Sequence, residues 1–122
     1  MSAIEIDRRT GLWARRLEDK EAKRIGQPLP VARQIVSRKL GIPAGTLENL
    51  RRGRVKGVRA WIADRIHAAV IRQIEAEIQG LEHERQMVMA SLGNAGALEV
   101  QEIDASLAEI KALISGGRHD AR

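Results

Sequence analysis

The sequence predicts an all-α protein: a small helical head, followed by a long helix and an antiparallel helical hairpin. Three observations lead there. Apolar residues recur at intervals of three and four along most of the chain, the spacing that lines one side of a helix. Glycine and proline interrupt that spacing at helix-length intervals, at Gly26, at Gly41 with Pro43, at Gly53, and in the run SLGNAG over 91–96. Apolar residues make up 43% of the chain but aromatics only 2%, so the core must come from Ile, Leu, Val and Ala around Trp13 and Trp61.

Residues 1–10 carry much charge and little apolar surface, which predicts a flexible arm. On such an arm Arg8 and Arg9 are placed to reach a groove or a phosphate of a nucleic acid. The first helix is predicted from Gly11 to Ile25, with Ala14, Leu17, Ala22 and Ile25 on one face and Trp13 at its edge. Gly26 ends it, and GQPLP is a stiff connector because proline fixes its own backbone and biases the preceding residue away from helix.

The stretch 31–54, VARQIVSRKLGIPAGTLENLRRGR, reads as two short helices with a tight turn. Val31, Ala32, Ile35, Val36 and Leu40 form the apolar side of the first. Gly41 accepts the left-handed backbone that closes a helix, and Pro43 suits the start of the next. The second helix buries Leu47 and Leu50, and Gly53 stops it. Ser37, Gly41, Ile42, Leu47 and Leu50, with the closing Arg52, Gly53 and Arg54, resemble the helix-turn-helix of the lambda repressor and Cro-like (XRE) family over about a fifth of the chain. That resemblance implies a DNA-binding head spanning 11–60, whose second helix enters the major groove.

Charge points the same way. Residues 1–60 hold 15 Lys and Arg against 6 Asp and Glu, whereas residues 61–122 hold 6 against 10. A basic half releases counterions from a polyanion, so the half with the helix pair has the electrostatics of a nucleic-acid binder. On the second helix Glu48, Asn49 and Arg52 face away from Leu47 and Leu50 and are the candidates for base edges. Arg33, Arg38, Lys39, Thr46, Arg51, Arg54, Lys56 and Arg59 are the candidates for phosphate, the loop RRGRVKGVR being the densest run of them.

From Val58 the pattern Trp61, Ile62, Ile66, Val70, Ile74, Ile78, Leu81 and Val88 predicts a long helix, which Gly80 either bends or leaves intact. Leu98, Ile103, Leu107, Ile110 and Ile114 form a second stripe after the 91–96 turn. Residues 61–115 are therefore read as a hairpin that oligomerises through Ile66, Val70, Ile74, Ile78, Leu81, Val88, Ile103, Leu107, Ile110 and Ile114, and 116–122 as a disordered tail.

Little points to catalysis. His67, His83 and His119 have no helical metal spacing, and Glu82, His83 and Glu84 are adjacent and so diverge on a helix. There is no cysteine, no Walker or dinucleotide glycine loop, and no arranged base for a serine nucleophile. The expectation is a protein that is not an enzyme, with no cofactor, no metal and no small-molecule ligand. No stretch approaches the ~20 apolar residues of a membrane span, and the expected location is the cytoplasm.

The expected function is that of a sequence-specific DNA-binding transcriptional regulator, repression being what the family resemblance implies. Its partners would be double-stranded DNA and further copies of itself in a symmetric oligomer. A helix-turn-helix head followed by a hairpin also looks like the small terminase subunit of tailed phages, which makes DNA packaging the alternative. A helical protein-interaction module with a basic head is the third reading.

Overall fold

A computed structural model of the chain describes the backbone of residues 3–120. Met1, Ser2, Ala121 and Arg122 lie outside the described residues, as do the side chains at 3, 4, 94, 95 and 116–120. Five α-helices and no strand are found among the described residues, so the chain is all-α. The helices are α1 (Ala3–Ile25), α2 (Leu29–Leu40), α3 (Ala44–Arg51), α4 (Ala60–Leu92) and α5 (Ala97–Asp120), with a 3-10 turn over Gly93–Gly96 before the last. None is long and apolar enough to cross a membrane.

The chain divides into a unit of residues 1–70 and a unit of residues 71–122. The boundary expected after residue 60 falls ten residues later. Ile62, Ala63, Ile66 and Val70 at the start of α4 are all buried, and they belong to the core of the first unit.

In the first unit α1 packs on α2 and α3, which pack on each other. The stripe that α1 buries is Thr10, Ala14, Leu17, Glu18 and Glu21, at spacings of four, three, one and three. Residues 3–10 are therefore not a flexible arm but the first turns of α1, and Thr10 is fully buried with its hydroxyl donating to the Ile6 carbonyl at 2.8 Å. Asp7 fixes these turns further, because its carboxylate accepts the backbone N–H of Gly57 at 2.8 Å and of Val58 at 2.9 Å. At Gly11 the α1 backbone lies close against α3. A methyl group there would stand 2.8 Å from the Leu50 carbonyl oxygen.

The connector before α2 is shorter than expected, because Pro28 caps the helix and Pro30 lies in its first turn, where a missing N–H costs nothing. Ala32 and Val36 are buried on α2, whereas Val31 is 42% exposed. Gly41 ends the helix with φ +66°, and its N–H donates to the Ser37 carbonyl. The Ser37 hydroxyl donates to the Ile42 carbonyl at 2.6 Å, so one residue holds both sides of the turn. Ile42, Leu47 and Leu50, at 1%, 0% and 3% exposure, then anchor α3. Arg65 of α4 closes the same corner. Its Nη1 donates to the Leu40 carbonyl at 2.8 Å, and its guanidinium lies 4.9 Å from the centroid of Trp61.

In the second unit the remainder of α4 and α5 form an antiparallel pair. Arg85 pairs with Asp104 at 2.6 Å and Glu82 with Lys111 at 3.3 Å, so positions advance on one helix as they recede on the other. Gly80 sits in the α4 interior without breaking it. The tail expected at 116–122 continues α5 through Asp120. Of the ten residues assigned to oligomerisation, Ile66, Val70, Ile74, Ile103 and Leu107 are buried by the chain itself and are not available to a second one. Ile78, Leu81, Val88, Ile110 and Ile114 are half-buried and still present apolar surface.

Candidate nucleic-acid interface

Burial of Leu47 and Leu50 against the rest of the first unit sets which side of α3 faces outward. Asn49 is exposed there, with Glu48 beside it and Arg52 at the helix end. Arg52 Nη2 lies 2.9 Å from Glu48 Oε1, one helical turn away, so two of the three expected base-reading residues neutralise each other. Thr46, in the first turn, is half-buried.

The eight expected phosphate contacts separate into two groups. Arg38, Arg54, Lys56 and Arg59 are exposed and make no ion pair among the described residues. They lie on the last turn of α2 and in the loop after α3. Lys39 is also exposed, but its Nζ stands 3.3 Å from Glu21 Oε1.

Arg33 and Arg51 do different work. Arg33 Nε donates to Glu18 Oε2 at 2.5 Å, with only 14% of its side chain exposed against none of the glutamate's. Arg51 Nη1 bonds Asp19 Oδ1 at 3.0 Å and stands 3.9 Å from Glu18 Oε1. The Arg51 carbonyl also accepts Arg15 Nε at 3.0 Å and Nη2 at 2.7 Å. Both arginines are therefore already paired with acids of the chain. A buried carboxylate needs a cation beside it, which Arg33 supplies to Glu18 directly and Arg51 only by its charge.

Glu18 is the centre of this network, tying α1 to α2 and to the end of α3. Burial pushes its carboxyl above the usual value, and the Arg33 hydrogen bond and the charges of Arg33 and Arg51 oppose that shift. Glu21 is held below its usual value, chiefly by the Arg24 hydrogen bonds at 2.6 and 3.0 Å, with Lys39 adding to the effect against some burial. Sequence reasoning passed over both acids. The signal was present: Ala14, Leu17, Glu18 and Glu21 fall on one helical face, which places two carboxylates in a stripe otherwise apolar.

A groove of about 730 Å³ runs between α1 and the segment that follows α3. Arg8, Leu12 and Arg15, successive on one side of α1, form one wall, and Arg52, Val55 and Lys56 contribute to the other. Arg8, expected on a mobile arm, is thus on a helix beside the basic loop. His67, outside this groove, is half-buried 3.4 Å from the Thr10 hydroxyl, and burial followed by the charge of Arg9 holds it below its usual value while Asp64 opposes. Among the described residues no group of three or more His, Asp or Glu could hold a metal ion.

No protein-family model, no curated protein and no solved structure matches this chain.

Proposed function

We propose that the first unit binds double-stranded DNA in a sequence-dependent manner through α2, the Gly41 turn and α3, and that the protein acts as a transcriptional regulator, most simply a repressor. The observation that carries this reading is the exposed Asn49 on α3 with Arg38, Arg54, Lys56 and Arg59 exposed and unneutralised on the flanking segments. Four such cations hold phosphates and set the register of α3, while an asparagine amide offers the bidentate pattern that adenine matches in the major groove. Arg52 reads a base only by exchanging Glu48 for it. That exchange makes the Glu48–Arg52 pair a discriminator, because an unsuitable base leaves the arginine where it is.

The half-buried Ile78, Leu81, Val88, Ile110 and Ile114 supply the surface on which two copies join, so that two heads reach half-sites about one helical turn, ~34 Å, apart. The unbroken run of α4 from the first unit into the second supports a second reading, a DNA-packaging subunit assembled as a ring. Measured mass in solution separates the two: a two-fold dimer favours the regulator, a ring of eight or more the packaging subunit.

The decisive experiment is a gel shift with random and selected duplexes across salt. Binding should be present at about 50 mM salt and fall steeply as salt rises. Lys56→Ala should weaken all sequences alike and lower the salt slope by about one, whereas Asn49→Ala should relax preference at one base pair. Absence of any shift at low salt refutes the DNA reading.

A further inference from the structure

Two surface features are left over by the DNA reading, and each supplies what the other lacks. The first is the groove beside α1. Leu12 is 53% exposed in its wall, with Arg8 one turn before it and Arg15 one turn after, and Lys56 faces them. Its one acid, Asp7, accepts two backbone N–H groups and is outnumbered in the lining by Arg8, Arg15 and Lys56. The groove is therefore an apolar spot inside a cationic rim. The second feature is the turn between α4 and α5, where Met89 and Leu92 are half exposed and Leu98, at 74%, is the most exposed large apolar residue described. Leu98 shares a helical face with Glu102, four positions on, and Glu99 stands next to it. Both acids are exposed and make no ion pair among the described residues. This turn is an apolar spot inside an anionic rim.

We propose that the hairpin turn of one copy of the chain docks into the α1 groove of another, with Leu98 against Leu12 and the acids Glu99 and Glu102 against Arg8 and Lys56. Charge selects a second copy as the occupant. Residues 1–70 carry 16 basic against 7 acidic groups and residues 71–122 carry 5 against 9, so like units repel and unlike units attract. Exposed leucines on both sides give the contact an apolar centre within a charged rim, the arrangement from which interfaces draw most of their affinity. The contact joins different patches on the two copies, so every copy carries both a turn to dock and a groove to receive one. It also covers Lys56 and the neighbourhood of Arg52. On the DNA reading above, docked and DNA-bound states exclude each other, and the protein stores itself in a self-masked form that DNA or salt releases.

The test uses the full chain, mixed in equal parts from ordinary and 15N-labelled preparations and treated with a carbodiimide, which joins an amine to a carboxylate only in direct contact. Linked peptide pairs between Lys56 and Glu99 or Glu102 should appear with mixed isotopes at about 50 mM salt and be largely lost at 500 mM, beyond the reach of screened charges. Leu98→Ser, which leaves the acids in place at an exposed position, should reduce the yield at least tenfold. Lys56→Glu should abolish it, and a mixture of Lys56→Glu with Glu102→Lys should restore a link in the reversed sense. Absence of mixed-isotope pairs, or a yield indifferent to Leu98→Ser, overturns the docking. A cross-link intact in a protein that fails the gel shift overturns the DNA reading and leaves the docking standing. A cross-link that excess duplex fails to suppress, in a protein that does bind DNA, overturns the masking.

Discussion

Arg33→Ala isolates the buried charge of Glu18. The glutamate side chain is fully inaccessible and accepts its strongest hydrogen bond from Arg33, so removing that guanidinium strands a carboxylate. Stranding one member of a buried ion pair costs about 3–5 kcal/mol. Arg51 remains 3.9 Å away as a partial substitute, which places the expectation at the lower end, about 3 kcal/mol. With a urea dependence of about 2 kcal/mol per molar, the unfolding midpoint should fall by ~1.5 M. The pH dependence supplies an internal check. A carboxyl whose folded pKa lies above its ordinary 4.5 weakens the fold as pH rises through that interval, because the unfolded chain ionises first. Arg33→Ala raises the folded value further, so its penalty should be full at pH 7 and shrink as the pH is lowered toward 4. Replacing both residues by leucine should return stability to within about 1 kcal/mol of the parent, since an apolar pair carries no stranded charge. Urea unfolding followed by circular dichroism at pH 7, 5.5 and 4 reads all three proteins. A loss below about 1 kcal/mol at pH 7, or one that is the same at every pH, refutes the claim that Glu18 is held ionised by Arg33.

Three further outcomes test the rest of the head. Gly41→Ala forces a side chain into a left-handed backbone and brings a methyl within 2.9 Å of the Arg65 guanidinium, so it should cost about 1–2 kcal/mol in thermal unfolding. Asp7→Ala removes the acceptor of the Gly57 and Val58 N–H groups and should lower stability by about 1–3 kcal/mol, with faster amide exchange at those two positions. His67 sits below its ordinary 6.5, so the stability it contributes is present above that value and is lost as pH falls through its folded pKa. His67→Gln should flatten the stability profile between pH 7 and 5, and a chemical-shift titration of the imidazole in the parent protein checks the direction.

Much of the fold was legible because helices announce themselves through periodic burial and glycine stops. The bounds of α3, the turn at Gly41 and the antiparallel hairpin follow from Leu47 and Leu50, from Pro43 and from the 91–96 run. What misled was charge at the chain start. Residues 3–10 look too polar to fold, yet Asp7 is satisfied by backbone groups 50 and 51 positions away, and no local pattern reveals such partners. The candidate site was legible by sign and not by role. A cluster of arginines identifies a positive surface, but the acids that claim Arg33 and Arg51, Glu18 and Asp19, sit on another helix. Which arginine is free depends on the fold that pairing them helps to build.

The Asp7 bridge has a bearing on assembly order. It closes a circuit of 50 positions, from the second turn of the first helix to the segment just ahead of the fourth. Until that circuit closes, the Gly57 and Val58 N–H groups lack the carboxylate that accepts them. A fusion or trimming that unwinds the opening turns would therefore loosen a segment far along the chain, and its signature would be slower refolding alongside amides that exchange freely where no residue had been altered.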